Sequence, residues 1–117
     1  MAKITIWHNP RCSKSREAMS IIEENNCESE VFKYLEEKPT QDEIKKVLSM
    51  LGLSARELMR TKEDIYKELN LKEEEEEIKL IDAMATYHKL IERPILIKEG
   101  KAIIGRPTSI IANFIKS

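Results

Sequence analysis

Cys12 stands in the segment His8-Asn9-Pro10-Arg11-Cys12-Ser13-Lys14-Ser15-Arg16, directly after the apolar run Ile4-Thr5-Ile6-Trp7. A strand that empties into a lone cysteine at a helix start is a place to make a thiolate. The helix N-terminus offers unpaired backbone N–H groups and the positive end of the dipole, and both favour negative charge. Arg11, Lys14 and Arg16 add cationic side chains. Such settings lower a cysteine pKa from ~8.5 into a reactive range, and they also bind anions. One short segment therefore offers a nucleophile and a seat for an oxyanion.

His8 precedes Cys12 at the end of the strand. Its imidazole could pair with the thiolate and hold its pKa down, or could merely satisfy loop backbone groups. Ser15 makes Cys12-Ser13-Lys14-Ser15 a C-x-x-S motif, which cannot close an internal disulfide as C-x-x-C does. A redox cycle must then finish on one thiol or borrow a second from a partner. The Ser15 hydroxyl could donate to the thiolate, or could bond local backbone. Cys27 reads as a small, inert, buried hydrophobe near a helix end, and His88 as a structural residue on a helix face.

Arg60, Arg93 and Arg106 are the remaining candidates. Taken singly, each could be an ordinary solvated cation. Arg93-Pro94 and Gly105-Arg106-Pro107 stand out because a proline fixes the backbone beside each arginine. Guanidinium groups grip oxyanions through paired N–H donors.

The elements that must position these residues follow from the apolar pattern. Residues 3–7 read as a strand, residues 13–25 as a helix closed by Asn25-Asn26, and Val31 to Leu35 as a second strand. This β-α-β opening implies parallel strands with a right-handed crossover. Thr40 with Glu43 and Ser54 with Glu57 form two capping boxes, the first opening a helix that ends at Gly52. Residues 61–71 suggest another short helical piece. The acidic run Lys72 to Glu77 reads as a solvated start to a helix carrying Ile78, Ile81, Met84, Ala85 and His88. Ile95-Leu96-Ile97 and Ala102-Ile103-Ile104 flank Glu99-Gly100, a hairpin pattern. A closing helix presents Ile110, Ile111 and Phe114 inward.

The order is β-α-β, a helical block, then β-β-α. This is an α/β, thioredoxin-like arrangement: a four-stranded mixed sheet flanked by helices, with a helical insertion at about 40–91 between the two halves. One domain over residues 1–117 is expected. In such a fold the loop before the third strand lies beside the nucleophile and its proline is usually cis. A cis peptide is therefore expected at Arg93–Pro94, with Arg93 directed at the site.

Composition narrows the function. The chain is 35% charged yet balanced at a formal net charge of -1, which argues against a general nucleic-acid binder. No apolar run approaches the ~20 residues of a membrane span. The start of the chain enters a strand at once with no signal-peptide pattern, and the two cysteines make no disulfide framework, so a reducing cytoplasm is the expected setting. Two histidines and two scattered cysteines make no zinc-site pattern, and no metal is expected.

The sequence resembles the glutaredoxin-coupled arsenate reductase (ArsC) family, in particular its short chromosomal YfgD-type branch. The matching stretches are Ile4 to Arg16, Ser54-Ala55-Arg56-Glu57-Leu58-Met59-Arg60, Glu92-Arg93-Pro94-Ile95 and Ile104-Gly105-Arg106-Pro107. The resemblance implies a catalytic Cys12, a thiolate-stabilising His8, an active-site Ser15, and oxyanion-binding Arg60, Arg93 and Arg106. It implies arsenate as substrate, glutathione as co-substrate and glutaredoxin as partner, with no bound cofactor, no membrane or nucleic-acid partner, and a monomeric chain. Two alternatives remain at this level. One is a glutathione-dependent thiol reductase or deglutathionylase, which does not need three arginines. The other is an Spx-like RNA-polymerase-binding regulator, against whose usual C-x-x-C switch Ser15 counts.

Overall fold

The computed structural model describes residues 3–106 and 108–116. Two compact units emerge. One comprises the chain up to Glu37 and again from Arg93 onward; the other is Lys38–Glu92.

The first unit is built on a four-stranded mixed sheet. Its strands are β1 (Ile4–Trp7), β2 (Ser29–Phe32), β3 (Ile95–Lys98) and β4 (Lys101–Ile104), in the order β2-β1-β3-β4. β1 runs parallel to β2, with Ile6 opposite Val31, and antiparallel to β3, with Ile6 opposite Leu96. The β3–β4 turn places both Glu99 (φ 50°) and Gly100 (φ 79°) in the left-handed region, as a two-residue type I′ turn requires. Helix α1 (Ser13–Glu24) buries Ala18 and Ile22 on one sheet face, where Ile4, Ile6, Leu96 and Ile111 complete the core. On the other face Trp7 contacts Phe32 and stacks on the fully buried Tyr34, with ring centroids 5.2 and 6.3 Å away.

β2 is displaced from its expected span. It ends at Phe32, and Tyr34–Glu37 forms a short helix, α2. Lys33 stops the strand. Its N–H donates to the Glu37 carboxylate at 2.8 Å, and its carbonyl accepts the N–H groups of Glu36 and Glu37, both at 2.9 Å. Local side-chain bonding of this kind competes with sheet pairing.

The second unit is helical. α3 (Gln41–Leu51) and α4 (Ala55–Leu58) each begin at a complete capping box, Thr40–Glu43 and Ser54–Glu57. Gly52 closes α3 at φ 70°, a left-handed conformation that favours glycine. After α4 come α5 (Asp64–Glu68), a short 3-10 turn at Leu71–Glu73 and α6 (Glu77–Thr86). Arg56 ties α5 to the stretch that follows it by donating to the Tyr66 hydroxyl at 2.6 Å, the Leu71 carbonyl at 3.0 Å and the Glu74 carbonyl. The acidic run is only partly a solvated helix start, because Glu77 accepts the Ala55 N–H at 2.9 Å. α6 stops at Thr86, so His88 falls in a separate 3-10 turn rather than on the helix.

The closing helix, α7, covers Ile110–Lys116 in the first unit. Ile111 is fully buried, Phe114 and Ile115 pack beside it, and Ile110 is exposed at 38%. A helix that starts at Ile110 turns positions 111, 114 and 115 inward and leaves its first residue outside.

Candidate functional site

Cys12 is the N-cap of α1, held in extended conformation at φ −94° and ψ 124°. Asn9 builds the loop that leads to it. Its carbonyl accepts the Cys12 N–H at 2.9 Å, its Oδ1 accepts the Arg11 N–H at 3.0 Å, and its own N–H donates to the Ser15 Oγ at 3.4 Å. Asn9 and Ser15 are both buried. Ser15 thus binds its hydroxyl to the loop backbone, and its own N–H is directed to the Cys12 sulfur.

Burial alone would push the Cys12 thiol up. The Ser15 N–H, the Arg93 side chain and the Lys14 N–H outweigh it and hold the pKa at about 7, below the ordinary 9.0. Arg11, Lys14 and Arg16 were the cations suggested by the sequence. Their side chains are exposed, Lys14 pairs with Glu17 at 3.7 Å, and the guanidinium that favours the thiolate is instead that of Arg93. Burial works against the Arg93 charge, while Cys12 and Tyr34 favour it and leave its pKa raised.

Arg106 joins from the end of β4. Its Nη2 lies 3.6 Å from Cys12 Sγ, and its Nε donates to the Arg93 carbonyl at 2.7 Å. The Arg93–Pro94 peptide is cis. Gly105 donates its N–H to the Pro94 carbonyl at 2.8 Å, which links the two arginine junctions. Pro107 lies outside the described residues.

The structure therefore brings Cys12, Ser15, Arg93 and Arg106 together. His8 stands apart. No hydrogen bond or ion pair joins it to Cys12 among the described residues, and its Nδ1 is buried without a hydrogen-bond partner. Burial first, then Lys33, lowers its pKa, so the ring is neutral near pH 7. Arg60 belongs to the helical unit. It donates to Glu92 at 2.9 Å and to Glu63 at 3.3 Å, and its N–H donates to the Leu90 carbonyl at 2.7 Å.

Two residues of the site were not singled out from sequence. Asn9 was legible in principle, since Asn-Pro is a turn-initiating pair. Tyr34 looked like a strand residue, and nothing local shows that its phenol meets Arg93. Cys27 is partly buried against the main core.

Chemically, the cluster offers an ionisable thiol with two guanidinium groups at the same sulfur, a setting for nucleophilic attack on an anion. Among the described residues, no group of His, Cys, Asp and Glu forms a metal-binding cluster, and no helix is long and apolar enough to cross a membrane.

Comparison with known proteins places this geometry in a family. The ArsC family model matches residues 7–114. The uncharacterized protein YfgD of Escherichia coli (strain K12) is 52% identical over 90% of both chains. An arsenate reductase of Neisseria meningitidis (serogroup A, strain Z2491) is 49% identical, covering 92% of this chain and 93% of that one. The solved structure of an arsenate reductase from Vibrio cholerae matches with a TM-score of 0.92 at 43% identity, over 96% of this chain and 97% of that one. With a family match over nearly its whole length and relatives near half identity, this chain belongs to the ArsC family.

Proposed function

We propose that this protein is a cytoplasmic arsenate reductase that uses the Cys12 thiolate as nucleophile and takes its electrons from glutathione and glutaredoxin. The observation that carries this reading is the pair of arginines at one sulfur. Arg106 lies 3.6 Å from Cys12 Sγ, and Arg93, with the Ser15 and Lys14 N–H groups, holds the thiol pKa at about 7. Arsenate-reductase relatives support the substrate. A plain thiol–disulfide exchanger gains little from two guanidinium groups there, whereas a tetrahedral oxyanion uses both as paired donors.

In this mechanism Arg93 and Arg106 hold the arsenate oxygens. The Cys12 thiolate attacks arsenic, an S–As bond forms, and one arsenate oxygen leaves as water. Glutathione attacks the adduct and glutaredoxin resolves the mixed species. In balance, arsenic gains two electrons, two thiols become one disulfide, and arsenite is released. Ser15 in place of a second cysteine fits a cycle whose resolving thiol comes from outside. The arginines both bind the anion and offset the charge that develops during displacement.

The test is arsenite formation from arsenate with glutathione and glutaredoxin, run beside Cys12→Ser. Turnover that needs all three reactants and vanishes in Cys12→Ser is expected. Turnover that survives the substitution, or absence of arsenite from a folded wild-type protein, overturns the reading.

A further inference from the structure

A cleft of about 270 Å³ opens beside the nucleophile loop, lined by His8, Asn9, Pro10, Arg11, Lys33, Leu35 and Glu36. Its walls are the loop that carries Cys12 and the segment from the end of β2 into α2. We propose that this cleft binds the thiol co-substrate of Cys12, a small peptide thiol of the glutathione class, with Arg11 and Lys33 taking its two carboxylates and Glu36 its ammonium. This inference rests on the proposed reductase reading and adds to it where the reducing thiol sits and what recognises it.

Size argues first. At about 270 Å³ the cleft has more room than a single tetrahedral oxyanion needs and suits a small peptide. Charge argues second. The side chains of Arg11, Lys33 and Glu36 are exposed and make no ion pair among the described residues. Two unpaired cations and one unpaired anion on one cleft are the complement of a ligand with two carboxylates and one ammonium. Leu35, exposed at 38%, supplies an apolar wall. Arg11 precedes Cys12 directly, so a carboxylate held there keeps the ligand thiol near the adduct it must attack.

The test titrates the unreactive analogue S-methylglutathione into ¹⁵N-labelled protein. Saturable amide shifts at Asn9, Arg11, Leu35 and Glu36 are expected in both wild type and Cys12→Ser. Lys33→Glu and Arg11→Gln should each weaken binding about fivefold, the scale of one exposed charge pair. Shifts confined to other surfaces, no shift at millimolar analogue, or unchanged affinity in both folded variants overturns the assignment. Either variant alone decides the matter if the other fails to fold. Binding in the cleft by a protein that turns over no arsenate upholds this site and sinks the arsenate reading. Glutathione-driven arsenate reduction with no shift in the cleft does the reverse.

Discussion

Arg106 reaches the Cys12 sulfur at 3.6 Å while its Nε holds the carbonyl of Arg93 at 2.7 Å, so the second arginine also braces the first. The thiolate is then a property of a cluster rather than of a helix end alone.

That cluster sets the pH response. Iodoacetamide alkylation of Cys12 should rise to half its maximum near pH 7, and Cys12→Ser should remove this component. Arg93→Gln should move the midpoint up toward the ordinary 9.0. The sign for stability follows. A depressed thiol pKa stabilises the fold fully above the unfolded value, and the gain is lost as pH falls through about 7. A midpoint unmoved by Arg93→Gln would remove Arg93 from the account.

Arg60 is engaged by two carboxylates of its own unit, at 2.9 Å from Glu92 and 3.3 Å from Glu63. Both partners of the Glu92 pair are about one-quarter exposed, so the pair is worth about 0.2–1 kcal/mol. Glu92→Gln should therefore lower the unfolding free energy by about 0.2–1 kcal/mol. Urea unfolding checks this, and a loss above about 2 kcal/mol would mean that Glu92 does more than pair with Arg60.

Gly105 is packed too closely to carry a side chain. A Cβ there would stand 3.0 Å from Ile111 Cδ1, 3.0 Å from Pro94 Cγ and 3.1 Å from Leu96 Cδ1. Gly105→Ala should cost about 1–3 kcal/mol through overpacking. Urea unfolding measures it; a loss below about 0.5 kcal/mol would show that the three side chains yield freely.

The sequence pattern foretold much of this architecture because its signals are local. The capping boxes at Thr40 and Ser54, Gly52 after α3 and the Glu99-Gly100 turn each declare themselves within a few residues. The C-x-x-S segment and the proline junctions likewise marked Cys12, Arg93 and Arg106. What escaped was the product of tertiary context. Tyr34 looks like a strand residue until Lys33 is capped by Glu37, and only the fold shows that Arg93, not Arg11 or Arg16, lowers the thiol pKa. His88 fits helical spacing, yet Tyr87 at φ −121° has already left the helix. Ile110, expected on the inner face, is exposed, because Ile111, Phe114 and Ile115 form the face that meets the sheet.

The strand order also has a consequence in time. β1 is the second strand in space, and its antiparallel partner Ile95–Ile97 arrives only after the whole Lys38–Glu92 stretch has been made. Closing so long an intervening segment must wait on sequence-distant contacts, whereas α3 and α4 begin from caps a few residues away. Synthesis runs from the N-terminus, so a nascent chain that has reached Glu92 already exposes Cys12 but lacks Arg93 and Arg106. On the ribosome this cysteine is without the arginines that favour its thiolate. The thiolate of the finished protein is therefore completed only by the last quarter of the chain to be made.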